Sequence, residues 1–193
     1  MFGNEEMTPE EIIEWTFKPN YPTLITTSFG EYSAVLLHMV HEISPNAPIT
    51  WIDTQFNTKE TLIFKEKICS TLNINLLTFK GEIWNGDIPI YLTQEYEDFV
   101  EQVKLKPFRQ IIQDLNPTFW LTGIRREETN FRKQHKQIHV FNEIIKVAPL
   151  FYWESKDMKE YLKINNLPNE SNYFDPTKPN MRSECGIHTK RIR

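Results

Sequence analysis

Blocks of apolar residues along this chain switch repeatedly between two periods. The run Thr23-Leu24-Ile25-Thr26-Thr27 is β-prone, and after Ser28-Phe29-Gly30 the residues Ala34, Val35, Leu36, Met39, Val40 and Ile43 recur at helical spacing. The pattern predicts strand, tight loop and helix. A second unit follows. Residues 47–52 are apolar enough for a buried strand, and 58–72 carry Leu62, Ile63, Ile68 and Cys69 in a helical stripe that makes Cys69 a core residue. A third strand is predicted at 74–79, helices at 93–103 and 107–115, a fourth strand at 118–123, a fifth at 144–147 and a helix at 155–164. Upstream, Thr8-Pro9-Glu10-Glu11 has the form of a capping box with proline at the first helical position, and opens a helix through Trp15.

Strands alternating with helices imply an α/β fold, a doubly wound and mostly parallel five-stranded sheet covered on both faces. Ligands of such sheets bind beyond the carboxyl ends of the strands, where three polar segments fall: 28–33, 53–61 and 123–133. From residue 165 onward Asn, Pro, Asp and Ser dominate. The division expected is therefore an α/β domain over 1–164, with its ligand site at the strand ends, and a mobile arm over 165–193.

At 193 residues the chain suits one domain with a sizeable core. Its net charge of −4 gives no general attraction for nucleic acid, yet cations gather at Arg125, Arg126, Arg132, Lys133 and Lys136, and again between Arg182 and Arg193. Local basic clusters on an acidic chain point to a small anionic ligand or to a solvated helix face. No apolar run approaches the ~18 residues of a membrane span. Two cysteines and no secretory signal point to a reducing cytoplasm.

Several residues have the makings of a site. Ser28, Gly30 and Ser33 sit where a strand turns into a helix, and the unpaired N–H groups and dipole of the helix start attract phosphate or sulfate. Neither the P-loop pattern nor Gly-x-Gly-x-x-Gly is present. Asp53 and Thr54 end a strand with a carboxylate and a hydroxyl suited to a ribose or base, or to an ordinary helix cap. Arg125 and Arg126, then Arg132 and Lys133, offer guanidinium groups that bind phosphate or sulfate oxygens bidentately, unless Glu127 and Glu128 tie them into ion pairs. Cys185 lies beside Gly186, His188 and the cations Arg182, Lys190, Arg191 and Arg193, a setting that favours thiolate, or else is a surface thiol on a frayed tail. His135 and His139 have the i, i+4 spacing of a zinc helix, but Lys136 stands where a metalloprotease would have Glu, and no third ligand is evident.

Taken in order, Ser28-Phe29-Gly30, Asp53-Thr54 with Glu60-Thr61, Gly123-Ile124-Arg125-Arg126-Glu127 and Glu184-Cys185-Gly186-Ile187-His188 resemble the assimilatory phosphoadenylyl-sulfate reductases of the PP-loop superfamily. The resemblance runs from about residue 22 to the end, and the terminal run is its most specific element. It implies that Cys185 attacks the sulfur of 3′-phosphoadenylyl sulfate, giving an enzyme S-sulfonate and adenosine 3′,5′-bisphosphate, and that thioredoxin or glutaredoxin then releases sulfite. It also implies that Ser28, Phe29, Gly30 and Ser33 hold the phosphosulfate with Arg125, Arg126 and Arg132. Asp53 and Thr54 would then lie beside the nucleotide, Lys104 near the sulfate, and His188 would orient the tail or tune the thiol.

No metal or flavin is implied. Iron–sulfur members, which mostly use adenylyl sulfate, carry a cysteine pair where this chain has Phe99 and Val100, which favours the 3′-phosphorylated substrate over adenylyl sulfate. Two further departures are Gln55 in place of the usual glycine after Asp-Thr, and a shortened arm around Tyr173 to Lys178. Rival readings are an ATP-dependent PP-loop enzyme, such as a sulfurtransferase or a nucleic-acid-modifying enzyme, and a nucleotide-binding module without turnover. A homodimer is compatible with everything above.

Overall fold

In the computed structural model, which describes residues 7–18, 20–178 and 183–189, the five strands read from the sequence all form: β1 (Thr23–Thr27), β2 (Ile49–Asp53), β3 (Leu76–Lys80), β4 (Phe119–Thr122) and β6 (Ile144–Val147). The sheet has one strand more than expected. β5 (Ile138–Phe141) pairs antiparallel with β6 through a tight hairpin whose two turn residues, Asn142 and Glu143, have φ of 47° and 66°. Such a turn usually announces itself by glycine. Here glycine is absent, and β5 is a half-exposed edge with Val140 73% exposed, so its apolar signal is weak.

The strand order is β3-β2-β1-β4-β6-β5, parallel apart from the β5 edge. The order reverses between β1 and β4, which stay paired up to Thr26 and Thr122, and beyond the carboxyl ends at such a reversal these sheets form a crevice. Helices cover both faces. On one face lie α1 (Pro9–Phe17), α2 (Ser33–Ile43), α3 (Lys59–Leu72) and α6 (Ser155–Ile164), around a core that includes Ile12, Val35, Met39, Trp51, Phe64 and Ile68. The expected capping box opens α1: Thr8 Oγ1 accepts from the Glu11 backbone N–H at 3.2 Å, and Glu11 accepts from the Thr8 N–H at 2.8 Å. In α3 the buried face is Thr61, Phe64, Ile68 and Leu72. Leu62 and Ile63 face outward, contrary to the stripe read from the sequence, because the i, i+4 pair Phe64 and Ile68 sets the helix phase. Cys69 packs half-buried at the margin of this core.

The opposite face is covered by α4 (Gln94–Val100) and α5 (Lys106–Leu115), which the sequence reads as two separate helices. They are continuous, joined by one π-helical segment, Glu101–Leu105. Pro107 explains it: proline has no N–H to offer the carbonyl four residues back and its ring clashes there, and the wider turn absorbs both effects. The segment buries Val103, Lys104 and Leu105. Against it lies Gly81, where an added Cβ would stand 2.3 Å from the Gln102 carbonyl oxygen and 2.8 Å from Val103 Cα.

The described parts of the arm are seated rather than loose. Cys185 and Ile187 join the core of Leu24, Phe99, Val103, Phe108 and Trp120, while Thr58 Oγ1 donates to the Asn172 carbonyl and Glu60 accepts from Asn172 Nδ2 at the start of α3. The basic residues Arg182, Lys190, Arg191 and Arg193 lie outside the described residues. Among the described residues no helix is long and apolar enough to cross a membrane.

Gly81→Ala is expected to lower the free energy of unfolding by on the order of 1–3 kcal/mol, since the new methyl meets backbone rather than a mobile side chain. Urea unfolding measures this. An unchanged midpoint would show that the π-helical segment moves freely.

Candidate active site

A cavity of ≈ 360 Å³ opens where the strand order reverses, lined by threonines of β1, β2 and β4 (Thr26, Thr50, Thr122), by the 28–33 loop, by Lys104, Arg125 and Arg132, and by Cys185 and His188. The loop is held in an unusual shape. Phe29 and Tyr32 have φ of 52° and 64°, a region bulky residues rarely enter, and each is tied down: the Phe29 N–H donates to Thr27 Oγ1 at 3.1 Å, and the Tyr32 N–H to Asn169 Oδ1 at 2.8 Å. The Phe29 ring does not face the cavity. It is buried edge-on to Trp51 and Phe64, with centroids at 5.5 and 6.5 Å, and anchors the loop from below. Ser28, Gly30 and Ser33 line the cavity as expected, and Tyr173 roofs it so closely that a Cβ on Gly30 would touch its ring at 3.1 Å. Ser33 Oγ and Thr54 Oγ1 are buried without a hydrogen-bond partner among the described residues, which leaves two hydroxyls for a ligand.

Asp53 proves to be a turn residue. Its Oδ1 accepts from the Gln55 N–H at 2.9 Å and from Asn57 Nδ2 at 2.6 Å, and only its neighbour Thr54 lines the cavity. Gln55 adopts φ 68°, the conformation a glycine would take without strain, so the turn keeps its shape despite the larger residue.

The arginine loop divides in the same way. Arg125 is buried, paired with Glu127, 3.8 Å from Glu128, and its guanidinium stands 5.1 Å over the Tyr32 ring. Arg132 is buried between Glu128 and Glu184, donating to Glu184 Oε2 at 2.9 Å. Arg126 is exposed and does not line the cavity, and its backbone N–H donates to the Phe151 carbonyl at 2.8 Å. Glu127 and Glu128 form ion pairs with Arg125 and Arg132, and both arginines also line the cavity.

Lys104 projects from the π-helical segment and donates to Asp175 Oδ2 at 2.6 Å and to Thr177 Oγ1 at 3.0 Å. Burial works against charge on both members, but the attraction between them wins, raising Lys104 and lowering Asp175 from their ordinary values. Glu184 behaves alike: burial opposes its charge, and hydrogen bonds from Arg132 and Thr129 hold it below the usual carboxylate range.

Cys185 is 4% exposed, and its carbonyl accepts from the His188 N–H at 3.1 Å in the turn Gly186–His188. The thiol interacts electrostatically with Lys104, Arg132 and Lys146. His188 is buried, not solvated: its ring stacks on Trp120 at 5.1 Å and 15°, and its Nδ1 lies 2.9 Å from Lys146 Nζ. Burial, reinforced by Lys146, Arg132 and Lys104, pushes it well below the ordinary imidazole range, so the ring is neutral. Cys69 lines no part of this cavity, and burial pushes its thiol up. His135 follows a 3₁₀ turn and His139 lies on β5, so their spacing does not fall on a helix face, and no three potential metal ligands are grouped among the described residues.

Sequence reasoning missed Tyr173, Asp175 and Lys146. The first two lie in an arm whose composition reads as irregular. Lys146 left a trace, as the single charge in the buried run Ile144-Ile145-Lys146-Val147.

A doubly wound sheet with hydroxyls, buried cations and a thiol gathered at its switch point defines a class: α/β nucleotide-binding enzymes that handle anionic groups. A phosphoadenosine phosphosulfate reductase domain is matched over residues 22–175, and the chain belongs to that enzyme family. It is 32% identical over 177 residues to a phosphoadenosine 5′-phosphosulfate reductase of Synechocystis, covering 85% of this chain and 70% of the relative, and 28% identical over 215 residues to one of Xylella fastidiosa, covering 95% and 90%. The crystal structure of phosphoadenylyl-sulfate reductase from Candida auris, a phosphate complex, shares the fold with a TM-score of 0.74 at 22% identity, over 88% of this chain and 89% of that one. The same architecture extends to the U34-tRNA thiolase NcsA of Methanococcus maripaludis, with a TM-score of 0.60 at 11% identity, over 95% of this chain and 69% of that one.

Asp175→Asn should destabilise the protein by about 3–5 kcal/mol, because it strands a buried ammonium, and adding Lys104→Met should recover part of that loss. Urea unfolding of the two single variants and the double variant measures the coupling, and additive losses would contradict it. Both Asp175 and Glu184 are lowered on folding, so their contribution is complete above the ordinary carboxylate values of about 4 and is lost as pH falls through their folded values. Stability lost on acidification should therefore be smaller in the Asp175→Asn variant.

Proposed function

We propose that the protein reduces 3′-phosphoadenylyl sulfate to sulfite through a sulfonate on Cys185. The observation that carries this reading is the placement of that thiol: buried on the wall of the switch-point cavity, within electrostatic reach of Lys104, Arg132 and Lys146. An anionic thiolate must approach an anionic sulfonate, and clustered cations offset the repulsion and the charge growing on the leaving phosphate. In the first step the Cys185 thiolate forms an S–S bond to the sulfuryl sulfur. The sulfur–oxygen bond to the 5′-phosphate breaks, and its electron pair leaves with adenosine 3′,5′-bisphosphate. In the second, a thiolate of reduced thioredoxin or glutaredoxin attacks Cys185 Sγ and sulfite departs with the S–S electron pair. The donor's second thiol then resolves the mixed disulfide, so the donor dithiol becomes a disulfide as sulfur(VI) becomes sulfur(IV).

Ser28, Gly30, Ser33 and Thr54 supply the neutral donors, and Arg125, Arg132 and Lys104 the charges that hold the phosphosulfate. The Phe99 ring packs against Phe56 and Trp84 at 5.2 and 5.4 Å, and Val100 is buried, so the positions of the cluster cysteines hold hydrocarbon. That favours the 3′-phosphorylated nucleotide.

Sulfite release, followed with the phosphorylated and unphosphorylated nucleotides, tests the reading. Cys185→Ser is expected to stop sulfite formation while nucleotide binding survives, because a serine hydroxyl stays protonated and attacks sulfur poorly. Cys69→Ser should turn over normally. Arg125→Ala should cost on the order of 1.5–3 kcal/mol in nucleotide affinity or turnover, roughly ten- to a hundredfold, and Arg126→Ala far less. Sulfite production by Cys185→Ser, or ATP-dependent pyrophosphate release in place of sulfite, would overturn the assignment.

A further inference from the structure

Lys146 is a lysine within a sheet. It lies on β6, 2% exposed, with Nζ 4.6 Å over the Trp120 ring and 5.0 Å over Phe141. Its hydrogen-bond partner is a ring nitrogen, His188 Nδ1 at 2.9 Å. Burying an ammonium in such a place is costly, and a methionine would fill the same space without that cost. Packing alone therefore does not account for it.

We propose that Lys146 is a positioning residue whose ammonium holds Nδ1 of His188 and thereby fixes that imidazole as an Nε2–H donor on the wall of the cavity it shares with Cys185. While Lys146 carries its proton the hydrogen bond has one assignment: an ammonium has no lone pair, so Nδ1 is the acceptor and the proton of the neutral ring sits on Nε2. Stacking on Trp120 fixes the ring plane, and Trp120 is itself held by its Nε1–H, which donates to Thr26 Oγ1 at 2.9 Å at the end of β1.

The groups that face Lys146 come from every side. His139 is its partner across the β5 pairing, Arg132 comes from the arginine loop, and Glu184, Cys185 and His188 come from the arm. Burial pushes Lys146 down to about 8, with Arg132 acting in the same sense and Cys185 and Glu184 opposing. An ammonium and an imidazolium cannot share this contact, so the pair keeps His188 neutral and donating while the thiolate and sulfonate oxygens carry the negative charge. The catalytic part of this role rests on Cys185 as the attacking group. The tautomer does not.

The first test uses the wild-type protein, labelled with ¹⁵N, in long-range ¹H–¹⁵N correlation spectra, with the His188 signals identified by their loss in His188→Gln. Below about pH 7, where Lys146 is an ammonium, one Nε2–H tautomer that shows no titration near the ordinary imidazole value is expected. An Nδ1–H tautomer, or titration near the ordinary value of about 6.5, would overturn the proposal whether or not any Lys146 variant folds. The second test is kinetic. Lys146→Met should lower kcat roughly ten- to a hundredfold with KM for the nucleotide little changed, and allow His188 to titrate at higher pH, with Lys146→Arg restoring part of kcat. A folded Lys146→Met protein with full kcat would refute the positioning role. Turnover by Cys185→Ser would instead remove the nucleophile assignment and leave the tautomer standing, so the two failures are distinguishable.

Discussion

The ion pairs that join the arm to the domain at the switch point, Lys104 with Asp175 and Arg132 with Glu184, are the contacts on which the site depends. A cavity meant for an anion must hold cations away from water, and a cation buried without a partner is unstable. The chain meets both demands with carboxylates carried on the same segment as the thiol. When the arm is seated, Lys104 and Arg132 each have a counter-ion and Cys185 lies on the wall of the cavity. The same contacts imply that an incoming anion shares, or takes over, cations already engaged by Asp175 and Glu184. The balance between arm and ligand is therefore set by a few charged hydrogen bonds.

Local strain concentrates at the same edge. Phe29, Tyr32 and Gln55 take left-handed backbone conformations without being glycine, and the helix carrying Lys104 widens into a π turn. Each departure is held by something outside the site: the Phe29 ring in the core, Asn169 on the Tyr32 N–H, Asp53 on the Gln55 N–H, and Pro107 after the π turn. The surroundings thus fix an irregular lining whose Ser33 and Thr54 hydroxyls are left without partners among the described residues.

Much of this was legible in the sequence, because buried parallel strands are continuous apolar runs and amphipathic helices have a clear period. β1, β2, β4 and β6 and the helices between them follow from that rule. β5 did not, being a half-exposed edge strand closed by a turn without glycine. Of the site, Ser28, Gly30, Ser33, Thr54, Lys104, Arg125, Arg132, Cys185 and His188 line the cavity, while Phe29, Asp53 and Arg126 serve the loops that present it. Sequence adjacency could not separate Arg125 from Arg126, since consecutive side chains leave the extended backbone at Arg125 in different directions and only Arg125 is buried. Asp175 and Lys146 were missed because their significance is relational: each matters through a partner 71 or 42 residues away.

The assignment of Cys185 as the group that accepts the sulfonate is tested most directly by a single turnover without reductant. Wild-type protein is mixed with 3′-phosphoadenylyl sulfate in the absence of thioredoxin or glutaredoxin, then digested and mapped by mass. One sulfonate on the peptide containing Cys185, formed together with one equivalent of adenosine 3′,5′-bisphosphate, is the predicted result. A sulfonate on Cys69, or nucleotide cleavage that leaves both thiols unmodified, would contradict it.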